Sequence, residues 1–131
     1  MIMNETEDQL RAAAAKHGIG NYYRHVFLCT GPSCCTPEAG LAAWEALKRA
    51  HKEAGLATGP NACYRTKVGC LRICCHGPTM VVYPEGTWYH DMTADRIPEF
   101  VQRHLMEGRP IADWMFAQNP LDRSCRDSCG S

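Results

Sequence analysis

No C-x2-C spacing occurs anywhere in a chain that nevertheless holds nine cysteines. Zinc ribbons, zinc fingers and the thioredoxin dithiol therefore all lack their usual signature here. Charge of one sign is missing too: fourteen Lys and Arg balance fourteen Asp and Glu. There is no basic excess of the kind that binds nucleic acid through phosphate contacts. No run approaches the roughly 18 consecutive apolar residues of a membrane helix. The opening stretch, Met1 to Leu10, is acidic and has nothing resembling the apolar core of a signal peptide. These absences lead to the expectation of a soluble cytoplasmic protein with neither nucleic acid nor membrane among its partners. At 131 residues the chain suits one domain and is short for two cores.

In a reducing compartment, clustered cysteines indicate metal binding or redox chemistry rather than a disulfide scaffold, and the odd count agrees. Cys29 and Cys34 make a C-x4-C, Cys70 and Cys74 a C-x3-C, with one amphipathic segment between the pairs. Four soft anionic ligands converging from two loops are what a 2Fe–2S cluster requires. Two of the four stand in doublets, Cys34-Cys35 and Cys74-Cys75, so there are more thiols than one cluster uses. Cys35 and Cys75 either substitute as ligands or turn away into the core, and the second reading is preferred. Cys63 reads as a packing residue of a strand. Cys125 and Cys129 repeat a C-x3-C in a polar tail, without a partner pair.

Residues 1–21 read as an appendage, with a helix over Thr6 to His17 ended by Gly18 and Gly20. Residues 22–117 read as the domain and 118–131 as a tail without a core-forming pattern. His25 to Cys29 is a short β-prone run. Thr36-Pro37-Glu38 then starts a helix with a cap, a proline at its first position and an acid in its first turn. Leu41, Trp44 and Leu47 mark the inner face of that helix, and Gly55 its end. Ala62 to Val68 reads as a strand, Gly69 to Pro78 as a cysteine-rich loop, and Thr79 to Tyr83 as an interior strand. Pro84-Glu85-Gly86 turns into Thr87 to His90, completing a hairpin. Thr93 caps a last helix whose stripe is Ile97, Phe100, Val101, His104 and Leu105. A β-α-β unit followed by β-β-α implies a small mixed sheet of about four strands flanked by two main helices, an α/β (α+β) fold of thioredoxin-like arrangement.

Gly69-Cys-Leu-Arg-Ile-Cys-Cys-His-Gly-Pro-Thr-Met-Val-Val-Tyr-Pro-Glu-Gly-Thr-Trp-Tyr89 resembles the second half of the thioredoxin-like 2Fe–2S ferredoxins. Their pattern there is GC-x3-C, a Gly-Pro, and an apolar strand ending Tyr-Pro-(Asp/Glu)-Gly-x-Trp-Tyr. The helix ending His104-Leu-x-x-Gly-x-Pro110 matches as well, and His25 to Cys29 resembles the opening strand. The likeness spans about residues 24–116 and is strongest over 69–110. It implies one 2Fe–2S cluster per chain, held by Cys29, Cys34, Cys70 and Cys74, with no catalytic residue. It also implies one-electron transfer between protein redox partners and pairing into a homodimer. Arg65, Lys67 and Arg72 are candidates for steering a partner. Pro78 occupies the place where thioredoxin-like folds commonly carry a cis proline. His76 is read as a solvent-facing loop residue, and Trp44, Trp88 and Phe100 as core.

The short C-x4-C departs from the family, many members of which have a long loop at that point. It is instead the spacing of the small iron–sulfur subunit of NADH dehydrogenases. That leaves a second reading, a subunit of a larger NADH dehydrogenase or hydrogenase complex. A thiol–disulfide redox protein or sensor on the same fold is a third.

Overall fold

The computed structural model describes residues 5–121. Strand β1 (Arg24–Cys29) runs parallel to β2 (Cys63–Val68) and antiparallel to β3 (Met80–Tyr83). Outside β3 lie β4 (Thr87–Tyr89) and a fifth strand, β5 (Met115–Gln118), both antiparallel to their neighbours. The sheet order is β2-β1-β3-β4-β5. The expected four strands become five. β5 is short, three of its four residues are exposed, and it carries no alternation that would announce it.

Helix α1 (Glu5–Lys16) buries none of its residues. α2 (Pro37–Glu53) starts as expected: Thr36 has extended backbone, and its hydroxyl oxygen accepts the Ala39 N–H at 3.1 Å. That hydrogen bond satisfies one of the free donors of the first turn. Its inner face is rotated from the expected one. Trp44 and Leu47 are buried, but Leu41 is 57% exposed and Gly40 lies inward. A Cβ on Gly40 would stand 3.1 Å from both the Cys35 sulfur and the Thr30 Cβ. The helix thus docks through its backbone at Gly40, and this close approach turns Leu41 out. His51, also on the inner face, donates from Nε2 to the Cys63 carbonyl at 2.6 Å, and burial lowers its pKa.

The last helix, α3 (Ile97–Phe100), passes directly into a π-helical turn, Val101–Met106. It starts later than the Thr93 cap implies, because Ala94 to Arg96 form a turn first. All five residues of the expected stripe are buried. Val26, Leu28, Met80, Val82, Leu47 and Phe100 belong to the single core between the sheet and α2 and α3. Alternate residues of the strands face the other way, which leaves Trp88 half-buried against Phe116 rather than in the core.

A buried polar chain ties the hairpin to the end of the last helix. Glu85, in the β3–β4 turn, accepts from Arg24 Nε at 2.9 Å and from His104 Nε2 at 2.6 Å. His104 Nδ1 lies 2.7 Å from the Tyr89 hydroxyl, whose oxygen accepts the Ile111 N–H at 3.0 Å. The Glu85 carboxylate only accepts, so Nε2 of His104 donates to it. Burial pushes the Tyr89 pKa up to about 12, so the phenol keeps its proton. The chain uses residues from both downstream motifs of the sequence resemblance, Tyr-Pro-Glu-Gly and His-Leu. These motifs act as a structural clasp.

Candidate metal centre

β1 and α2 deliver the first pair of cysteines. Cys29 ends β1, with its N–H donating to Thr79 O at 2.8 Å. The Thr30 N–H donates to Val68 O at 3.0 Å, which holds the start of the loop against the end of β2. Gly31 then passes so close to Gly69 that any side chain there would collide with the Gly69 carbonyl. The loops after β1 and β2 are thereby clamped together backbone to backbone. Cys34 and Cys35 both send their N–H groups to Gly31 O, closing the turn just before the α2 cap.

Cys34 is buried, and its sulfur receives the Thr79 N–H at 3.4 Å. The Thr79 hydroxyl lies 3.4 Å from the same sulfur. Such donors favour the thiolate form and tune the potential of a thiolate-bound cluster. Burial raises the Cys34 pKa most, the two Thr79 contacts pull it down, and the hydrogen bond and charge of Cys29 raise it further. Gly77 sits against Cys34, donating its N–H to the Cys34 carbonyl at 3.0 Å. A methyl group on Gly77 would strike the Cys34 sulfur and carbonyl. The bond after Gly77 is cis, the isomer anticipated for Pro78.

The second pair comes from a loop of uncommon backbone. Arg72, Cys74 and His76 all have positive φ, at 71°, 58° and 51°. Three left-handed residues other than glycine in five positions cost free energy, and such strain gathers at binding sites. The Cys70 sulfur accepts the Arg72 N–H at 3.2 Å. Successive N–H groups in turns of this kind form concavities that suit anions. The Cys74 pKa is raised by its hydrogen bond with Cys70, then by the charges of Cys70, Cys29 and Cys34.

Cys29 stands near enough to Cys34 to raise its pKa, and Cys74 is perturbed by Cys70 and, more weakly, by Cys29 and Cys34 from the facing loop. Among the described residues no three His, Cys, Asp or Glu side chains stand close enough to hold one metal ion together. A two-iron cluster asks for two thiolates at each iron, and two thiol pairs presented by clamped loops fit it. Cys70 and Cys74 are exposed while Cys29 and Cys34 are buried, so one side of the site meets solvent.

The doublet partners differ from each other. Cys35 is half-buried, with its sulfur 4.0 Å from Gly31 O and lying against Gly40 of α2. Its pKa is raised by burial, then by Cys34 and Cys29. Cys75, expected to turn into the core, is exposed instead and lines a cleft with Ile73, His76, His90 and Phe116. The left-handed turns at Cys74 and His76 carry it outward. Cys63 is buried as expected, and burial pushes its pKa to about 12. Of the three cations named for steering, Arg72 is exposed in the cysteine loop, Lys67 is exposed near the end of β2, and Arg65 lies farther along that strand. Cys125 and Cys129 lie outside the described residues. Sequence reasoning missed Thr79 as a double partner of Cys34. The only trace was a threonine at the mouth of an apolar strand directly after Gly-Pro.

The chain is similar to known 2Fe–2S ferredoxins. A 43-residue stretch, 33% of the chain, is 49% identical to a 2Fe–2S ferredoxin of Clostridium pasteurianum and spans 42% of that protein. A 46-residue stretch, 35% of the chain, is 41% identical to a 2Fe–2S ferredoxin of Aquifex aeolicus and spans 41% of it. These matches thus cover less than half of either relative's length. The fold is similar to a solved thioredoxin-like 2Fe–2S ferredoxin from Aquifex aeolicus, with a TM-score of 0.62 and 26% identity. That match covers 75% of this chain and 94% of the other. No family model matches the chain.

Proposed function

We propose that this chain is a thioredoxin-like 2Fe–2S ferredoxin, as its similarity to such proteins supports, and carries single electrons between protein redox partners. The observation that supports this reading is that Gly31 and Gly69 clamp the loops after β1 and β2 backbone to backbone, with Cys29 acting on Cys34 and with Cys70, Cys29 and Cys34 acting on Cys74. In this reading those four thiolates hold one 2Fe–2S cluster. When bound, such a cluster takes up and releases one electron with little change in geometry. The protein's own part is to hold and tune. Cys29 and Cys34 anchor the buried side, the Thr79 and Arg72 N–H groups donate to ligand sulfurs, and the cysteine loop leaves Cys70 and Cys74 open to a partner. No side chain acts as acid, base or nucleophile, so the protein is not an enzyme in this reading.

Partner encounters are brief and use a small patch around the exposed cysteine loop, as redox encounters of low contact area do. Arg72 within that loop and Lys67 beside it supply local positive charge on a chain of zero net charge. A cytoplasmic location and pairing into a homodimer belong to the same reading and rest on family likeness. No described helix is long and apolar enough to cross a membrane. The unit is taken as residues 22–117, with 1–21 and 118–131 as appendages.

The test is iron and sulfide analysis of anaerobically purified protein, with EPR after dithionite reduction. Two irons and two sulfides per chain with one single-spin signal are expected. Zinc in their place, or colourless protein without sulfide, refutes the reading in favour of a thiol redox protein. A second prediction follows from the contact beneath Cys34. Gly77→Ala is expected to lower cluster content by about tenfold or more, since the new methyl and the Cys34 sulfur claim the same space. Iron content equal to wild type in a folded Gly77→Ala protein would contradict Cys34 as a ligand.

A further inference from the structure

Arg65 occupies an unusual position on the edge strand β2. Its guanidinium carbon stands 5.1 Å from the centre of the Trp44 ring, yet its Nε is buried and has no hydrogen-bond partner. A buried donor without an acceptor is unfavourable, so the Arg65 head group is not satisfied within the protein. No carboxylate among the described residues forms an ion pair with it.

Two adjoining clefts open on either side of Arg65, of about 330 Å³ and about 550 Å³, and both are also lined by His51 and Ala57. Volumes of this order suit small-molecule ligands. Lys16 and His17, at the end of α1, line the smaller cleft, and Lys48, Arg49 and Lys52 of α2 line the larger. Five of the fourteen Lys and Arg of the chain thus gather here, against one of its fourteen Asp and Glu, Glu45. Glu45 is engaged by Lys48 at 3.2 Å. Five cations less one anion leave a local excess of four positive charges on a chain whose total is zero. His51 spends its Nε2 on the Cys63 carbonyl and is not a free donor on that side. Tyr22 and Tyr64, ring centres 5.3 Å apart, add a flat apolar wall to the smaller cleft.

We propose that this edge binds a small molecule carrying phosphate-type oxyanions, with Arg65 as the central donor and Arg49, Lys52 and Lys16 around it. Arginine suits the role because its planar fork gives charge-assisted, two-point contacts to a phosphate. Trp44 beneath it holds the plane of that fork. A concave, tyrosine-walled site favours a small ligand over the flat acidic face of a protein. The site is separate from the four candidate ligand thiols, though the buried Cys63 lies on its wall. Arg65 lies three residues before Val68, the end of β2 held to Thr30, hence about 10 Å from it along the strand.

The experiment is titration of the cluster-loaded protein with pyrophosphate at low ionic strength, followed by two-dimensional NMR. Saturable one-site shifts are expected in the amides of β2 and the second half of α2 and in the Arg65 Nε–H. Arg49→Gln/Lys52→Gln, two changes at exposed positions, is expected to weaken binding by about tenfold or more, and Arg65→Gln to abolish it. The EPR signal of the cluster is expected to stay unchanged, which separates this site from the electron-carrier reading. Absence of saturation at millimolar pyrophosphate overturns the proposal. So does an affinity that the double variant leaves unmoved. Saturable binding of a glutamate-rich peptide with none of pyrophosphate would assign the edge to an acidic protein partner instead, and would equally overturn it.

Discussion

Replacing Cys34 by alanine is expected to abolish cluster incorporation, while replacing Cys35 by alanine leaves close to wild-type iron per chain, because the two adjacent sulfurs sit in different surroundings. The Cys34 sulfur is buried, receives the Thr79 N–H and lies near enough to Cys29 for that thiol to raise its pKa. It also contributes to the field at Cys74 in the opposite loop. The Cys35 sulfur lies against Gly40 and Thr30, at the first turn of α2. To replace its neighbour it would have to leave that contact and turn the chain that forms the Thr36 cap. That cap is held by the Ala39 N–H, and losing it costs about 1 kcal/mol. Alanine is the informative substitution, since a serine oxygen is itself able to ligate iron. Iron and sulfide content with the visible absorption of the cluster reads the result. Iron retained in Cys34→Ala, together with iron lost in Cys35→Ala, would reverse the assignment.

How far a chain of this kind can be read in advance depends on whether the determinants are local. The α2 start was legible because Thr36, Pro37 and Glu38 act within one turn. The stripe from Ile97 to Leu105 was legible as burial, though not as a change from α to π pitch, since both pitches place nearly the same residues inward. Leu41 was misread as core because spacing alone weighs a leucine above a glycine. The structure turns it outward so that the backbone at Gly40 can approach Thr30 and Cys35. As a candidate ligand set the four cysteines were legible from their spacing, and iron analysis tests that role. Their two supports were not: Gly31 against Gly69 and Gly77 against Cys34 join segments about 40 residues apart. Cys75 went outward for a reason that lies in the φ angles of its two neighbours rather than in its identity. β5 escaped because a four-residue exposed strand is defined by its pairing with β4, which sequence does not display.

The clasp around Glu85 is equally non-local, and it carries the largest expected effect on stability. Glu85→Gln is expected to lower the thermal midpoint of the cluster-loaded protein by about 10 °C at neutral pH, equivalent to about 3 kcal/mol for a chain of this length. The reason is the partners left behind. The Arg24 side chain is 10% exposed and that of His104 is 0%, so neither recovers its lost acceptor from water. His104 also orients Tyr89, which in turn holds the Ile111 N–H, so the loss spreads from the hairpin to the segment after the last helix. The effect should depend on pH in a defined direction. Burial pushes the Glu85 carboxyl up, but the hydrogen bonds from His104 and Arg24 and their charges outweigh it and hold the pKa below its ordinary 4.5. With a depressed folded value, the unfolded chain takes up the proton first as pH falls. The contribution of Glu85 is therefore complete above the ordinary carboxylate range and is lost as pH drops through the folded value. The gap between wild type and Glu85→Gln should close under acid conditions and stay open at neutral pH, as read by midpoints in parallel pH series. A gap that widened toward acid, or no gap at neutral pH, would mean that the clasp is held by packing of Tyr89 and His104 rather than by the carboxylate charge.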